Sequence, residues 1–349
     1  MVNFTLCSHF YLLLFLSIRL AHYLQKSPDS ILNICAEVEQ RAKHSIIKRA
    51  DKYLQKTVFS LPNTFAEKPL LKQCKSLAET FMKQRQTEHL NIYKAKPQHG
   101  MFQRMVETND EIDSARTFEW VKRSLTMPDT EAYIFAAQEH AFFTKYYEVH
   151  ILKTSSDDKC RICKSEPETI THMLAACEQL AHMEYLDRHN ALAQYVHHCI
   201  CKNFNIPVSK WWQSHAPADV IVKENVEIAW DQVIQTEREC PCNRPDIMIK
   251  DKISNKALII DVSCPADSNV MKKEKEKMIK YAALKLELGR MWKMECEVVP
   301  IVVGVLGGVT TEIRSNLESV PGSPDFAICQ KIVLVGSQRI LQSTLSKPK

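Results

Sequence analysis

Residues 244–263 read Arg-Pro-Asp-Ile-Met-Ile-Lys-Asp-Lys-Ile-Ser-Asn-Lys-Ala-Leu-Ile-Ile-Asp-Val-Ser. Two short apolar runs, 246–249 and 257–262, flank a polar stretch at 251–256 that contains the turn signal Ser254-Asn255. The pattern predicts a hairpin. Asp246 begins its first strand and Asp261 lies in its second, so the turn can bring both carboxylates to one end of a sheet. Two such carboxylates bind a hard divalent cation such as Mg2+, with water and substrate phosphate completing the shell. A cation held there can activate water and stabilise charge on a phosphate under attack. Working outward, a charged helix is expected over about 269–292. It places Lys273, Lys277 and Lys280 at i, i+4 and i+7 on one face, where an ammonium could stabilise the same charge. Met278, Tyr281, Leu284, Leu288 and Met291 form an apolar stripe that would dock this helix on the sheet. Strands are also expected at 228–236 and 297–305, and helices at 309–319 and 324–342. Each part has an ordinary explanation too: Pro-Asp is commonly a turn, and a lysine-rich helix is commonly a solvated face.

A second constellation precedes the hairpin, Cys160-x2-Cys163-x8-His172-x4-Cys177. Thiolate and imidazole donors suit tetrahedral zinc, and a CxxC turn lets two thiolates reach one ion. Four protein ligands leave no position for water, so the site reads as a structural zinc knuckle. The thirteen-cysteine complement is odd in number and scattered, which excludes a disulfide framework and fits metal binding in a reducing compartment. The groups His197-His198-Cys199-Ile200-Cys201 and Cys240-Pro-Cys242 lack a complete second half and read as non-metal, with Cys199 a core residue.

The chain has 349 residues, room for two or three domains. It is 45% hydrophobic and 25% charged with a net charge of +5, which describes a folded, mildly basic protein compatible with a polyanionic partner. Only seven glycines occur, six of them after position 288, so the first two thirds should be largely helical. Residues 10–18 are apolar and of signal-peptide length. They lack a preceding basic residue and are too short to span a bilayer comfortably, so a buried helix or a misassigned start is favoured over secretion. Residues 31–60 predict an amphipathic helix with Ile46, Ile47, Ala50, Tyr53 and Leu54 on one face and basic residues on the rest. Pro62, Pro69 and Pro97 break up the next region, and 83–99 reads as a polar connector. Helices are expected from Asp113 as N-cap through Trp120, from Thr126-Met127-Pro128-Asp129 towards Tyr147, and from Ala181 to Phe204.

The knuckle, the Arg244-Pro245-Asp246…Asp261 pair and the order of elements together resemble the C-terminal end of non-LTR retrotransposon reverse transcriptase polyproteins that carry a restriction-like PD-(D/E)xK endonuclease. The stretches 131–139, 184–190, 276–281 and 299–304 resemble the same family. The resemblance covers about 98–349. With the apolar leader at 1–30 and a helical connector at 31–154 it gives an α+β or α/β fold, in which the resemblance implies a zinc knuckle and following helices at 155–225 and a restriction-like core with a mixed sheet flanked by helices at 226–349. It implies a nuclease that nicks target DNA so that the free 3′ end primes reverse transcription, in the nucleus, with element RNA and the polymerase region of the parent polyprotein as further partners and no membrane. Asp246 and Asp261 are the implied Mg2+ ligands, Cys160, Cys163, His172 and Cys177 the zinc ligands, and Arg244 and Lys273 phosphate contacts. Serine at 263 departs from the general ExK pattern, and a lysine from the next helix is expected to substitute; Lys277 and Lys280 both fit. Asp231 is an accessory carboxylate candidate. No aromatic-Ala-Asp-Asp sequence occurs, so the chain should not polymerise by itself. The alternative is a catalytically inactive nucleic-acid-binding remnant of the same element.

Overall fold

A computed structural model describes residues 30–43, 45, 46, 48, 70–95, 100–123 and 126–348. The apolar run at 10–18 and most of the amphipathic reading at 31–60, with Ile47, Ala50, Tyr53 and Leu54, lie outside the described residues, as do Pro62, Pro69 and Pro97. The chain forms two compact units, Met1–Pro97 and Gln98–Lys349. In the first, α1 spans Ser30–Arg41 and α2 spans Leu70–Ala95. The connector expected over 83–99 is therefore helical as far as Ala95. Lys, Gln, Glu, Arg and Leu are strong helix formers and neither glycine nor proline interrupts them, so a segment without a clear apolar stripe still winds.

The second unit holds a five-stranded sheet in the order β1-β2-β3-β4-β5, flanked by helices. The strands are β1 Val220–Lys223, β2 Val226–Trp230, β3 Ile247–Asp251, β4 Lys256–Ser263 and β5 Glu295–Val302. The first four pair antiparallel and β5 joins β4 in parallel, which makes the sheet mixed and the class α+β. The expected hairpin is β3–β4, with Asp251 and Lys256 facing one another across the turn. β1 was not expected: four residues alternating between exposed and half-buried leave little apolar signal. The strand expected over 228–236 stops at Trp230, because Asp231 turns into the left-handed region at φ 48° and donates its N–H to the Asp246 carbonyl.

Both sheet faces are covered, and side-chain alternation sorts the residues. Ile247, Ile249, Leu258, Ile260, Val262 and Ile301 point to one core, which packs under α6, Leu186–Asn203, under α9, Ile313–Ser319, and under α10, Phe326–Leu345. Met248, Ala257, Ile259 and Val298 point to the other, against Tyr281, Leu284 and Leu288. The helix expected over 269–292 is two, α7 Val270–Lys280 and α8 Ala282–Trp292, which meet at Tyr281 with φ −101° and ψ 9°. Of the expected stripe, Tyr281, Leu284 and Leu288 are buried, whereas Met278 is exposed.

A third cluster lies among α3, Met101–Glu107, α4, Pro128–Gln138, and α5, Ile170–Ala175, and includes Leu334, Ile340 and Leu341 of α10. Gln330 stitches the parts together: its amide oxygen accepts from Trp120 N–H at 3.1 Å, and its amide nitrogen donates to the Gly307 carbonyl at 2.8 Å. Asp113 does cap a helix, but that helix breaks at Phe118 into two short turns. The helix from Pro128 ends at Gln138, short of Tyr147, and the one expected from Ala181 begins as a π-turn over Ala181–Tyr185 before α6. Among the described residues no helix is long and apolar enough to cross a membrane.

Candidate active site and metal centre

The register of β3 and β4 pairs Ile247 with Ile260. Asp246 precedes β3 by one residue and lies beside the end of β4 that carries Asp261, with its carboxylate on the Val262 N–H. Asp261 turns to α7 and Tyr281, whereas Asp246 meets the Val262 N–H and His189 of α6. Asp261 is 1% exposed. Its Oδ2 forms an ion pair with Lys277, and its Oδ1 lies 3.3 Å from Lys280 Nζ and 2.6 Å from Tyr281 Oη. Tyr281 Oη is also 3.0 Å from the Arg244 carbonyl. It has one proton, and the carboxylate is the stronger acceptor. Burial, then Asp261, pushes the Tyr281 hydroxyl well above the usual phenol range, so it stays a donor.

Asp246 accepts from the Val262 N–H at 2.6 Å and meets His189 Nε2 at 3.2 Å. Burial works to raise its carboxyl, but the hydrogen bond and charge of His189, the Val262 amide and the charge of Lys277 outweigh it and hold the group below the ordinary range. His189, on α6, moves the other way: burial lowers it, and the contact with Asp246 more than compensates. Lys277 thus acts on both carboxylates.

The other candidates sit apart from this pair. Lys273 Nζ is 2.6 Å from Glu276 on its own helix. Arg244 binds Asp231 through its carboxylate at 2.8 Å and its carbonyl at 3.0 Å, and both side chains are more than half exposed. The mutual pairing removes Asp231 from the carboxylate pair and leaves Arg244 at the rim. His189 and Tyr281 were the residues sequence reading missed. Tyr281 was counted as apolar stripe, which its ring is, and nothing in a linear pattern announces that a helical histidine will meet a strand 57 residues later.

The ligand atoms of Cys160, Cys163, His172 and Cys177 all lie within 4.8 Å of one another, so this group could hold a metal ion such as zinc. Local structure explains the placement. Lys159 bridges to Pro167, and Lys164 takes φ 61° to close the CxxC turn, with its N–H on the Cys160 carbonyl at 2.9 Å. Thr169 caps α5 by accepting from His172 N–H, which aims the imidazole at the turn, and Cys163 Sγ is 3.3 Å from His172 Nε2. Burial disfavours the Cys163 thiolate, but amide donors at Glu166 and Ser165, the Ser165 hydroxyl and His172 bring its thiol down to about 6. Behind the turn, buried Arg161 and Glu168 pair at 2.7 Å, and Arg161 also donates to the carbonyls of Leu345 and Lys347 at 3.0 Å.

A second Cys/His group includes two residues of the stretch 197–201 that read as non-metal. His197, Cys201 and His215 also bring one ligand atom each within 4.8 Å, the missing donor arriving from a loop beyond α6. Cys240 packs in the core beneath α8, and Cys199 packs against the α6 core as expected. No family model and no curated protein matches this chain.

Proposed function

We propose that residues 98–349 are the C-terminal region of a non-LTR retrotransposon polyprotein, with a restriction-like, Mg2+-dependent endonuclease that nicks DNA at 226–349, preceded by a structural zinc knuckle within 155–225. One observation carries this reading: Asp246 and Asp261 lie at the same end of the β3–β4 pair, and the charge of Lys277 acts on both. Asp246 and Asp261 would hold the divalent ion, which supplies Lewis-acid stabilisation of charge on the phosphate. The protein's own groups do the rest. Val262 N–H and His189 fix the Asp246 carboxylate, and Tyr281 fixes that of Asp261. Lys280, more exposed than Lys277, would meet a non-bridging phosphate oxygen. Lys277, paired with Asp261, would supply positive charge beside the phosphate under attack. Cys160, Cys163, His172 and Cys177 would hold zinc, and basic side chains would track the DNA backbone with salt-sensitive affinity.

The test is nicking of supercoiled plasmid by the purified chain with Mg2+ or Mn2+. Nicking that Asp246→Ala reduces by at least about a hundredfold is expected, since removing one ligand or charge stabiliser of this kind costs that much or more. Wild-type protein that binds DNA and never nicks it would establish the second reading, a catalytically inactive binding remnant. That reading draws on the saturation of Asp261, both of whose oxygens are already engaged by Lys277, Lys280 and Tyr281.

A further inference from the structure

His197 and Cys201 stand one helical turn apart on the buried face of α6, and both side chains are fully buried. The loop after α6 returns across them. Gln194 donates its side-chain amide to the carbonyls of Trp212 and His215, and His198 Nε2 meets the Ser209 carbonyl at 2.9 Å. This pinning sets the His215 ring on that of His197, centroids 5.0 Å apart. His197 Nδ1 is then 2.8 Å from His215 Nε2 and 3.5 Å from Cys201 Sγ. The Trp230 ring closes the site edge-on against His197.

We propose that His197, Cys201 and His215 form a second zinc site that staples the 204–215 loop to α6. Zinc–nitrogen bonds of about 2.0 Å and zinc–sulfur bonds of about 2.3 Å at tetrahedral angles put donor atoms roughly 3.3–3.6 Å apart. The two short separations around His197 Nδ1 lie near that range, so the ion enters with a small outward shift of His215. A hydrogen-bonded histidine pair accounts for the contact between the rings, and the i,i+4 spacing of α6 brings the Cys201 thiol to the same nitrogen. Two imidazoles and one thiolate are a borderline-soft set that favours zinc over magnesium or calcium. On binding, Cys201 loses its thiol proton to solvent and forms the S–Zn bond. The proton shared between the facing ring nitrogens moves to an outer ring nitrogen, leaving both inner lone pairs for the metal. A fourth position remains for water.

Metal content of the purified full chain tests the site independently of any nuclease activity. After expression with zinc and removal of loosely bound metal, the wild type should carry a second equivalent beyond the Cys160–Cys177 group. His215→Ala and Cys201→Ser should each lose that equivalent alone. Cobalt substitution reads the two sites separately, because thiolate-to-cobalt absorption scales with the number of thiolates. The second equivalent should add a weak band that Cys201→Ser removes. The wild type needs no variant to fold. If it binds a single equivalent, with a spectrum that Cys201→Ser leaves unchanged, the proposal is overturned.

Discussion

Asp267 shows how much one buried side chain can govern. It accepts from Gly308 N–H at 2.7 Å and Leu306 N–H at 2.9 Å, closing the loop that follows β5. Burial pushes its carboxyl up to about 6 in spite of these donors. The folded chain therefore holds this proton more tightly than the unfolded chain, whose aspartates titrate near 4. Stability from this group is present at low pH and is lost as pH rises from about 4 to about 6, by roughly 3 kcal/mol. The stability difference between wild type and Asp267→Asn, measured by urea unfolding, should shift by that much between pH 4 and pH 7. A difference that does not move with pH would contradict the assignment. The same carboxylate explains Gly304 and Gly308, where an added Cβ would run into Asp267, at 2.8 Å in the case of Gly308. Tyr281→Phe removes the hydroxyl from buried Asp261 and should cost about 1–3 kcal/mol of stability in the same assay, the range for losing a hydrogen bond to a charged group.

At the scale of elements, β3 and β4 were legible because their apolar runs are short, bounded and separated by a polar turn. The α7–α8 pair was legible as helix, and its break was not. Neither proline nor glycine marks residue 281; the break accompanies a phenol buried against the sheet with its hydroxyl on Asp261. The CxxC turn is held from behind by Arg161 and Glu168, which are 6% and 0% exposed. Removing one member of a buried pair strands the other charge, so Glu168→Ala should destabilise the chain by about 3–5 kcal/mol. Zinc retention under chelator challenge should fall with it, since the same carboxylate also accepts the Arg161 N–H at 2.7 Å. A variant that unfolds and binds zinc like the wild type would separate the ion pair from the turn.

At the scale of the whole molecule, the two compact units predict that brief proteolysis leaves a resistant fragment close to Gln98–Lys349, detectable by mass spectrometry. Persistent cleavage inside the sheet would argue against that unit as a body of its own. Local pattern alone determined the hairpin with an acid in each arm, the lysine-bearing helix beside it, and the spacing of Cys160, Cys163, His172 and Cys177. These are short-range properties, set by side-chain alternation, helical period and turn chemistry. Tertiary packing alone decided that Lys277 and Lys280 both reach Asp261, that Arg244 turns to Asp231, and that His189 crosses to Asp246. It also decided that His215 joins His197 and Cys201. Each of those contacts joins residues 13 or more positions apart. Their positions depend on how helices seat on a twisted sheet, which no single stretch of the chain encodes.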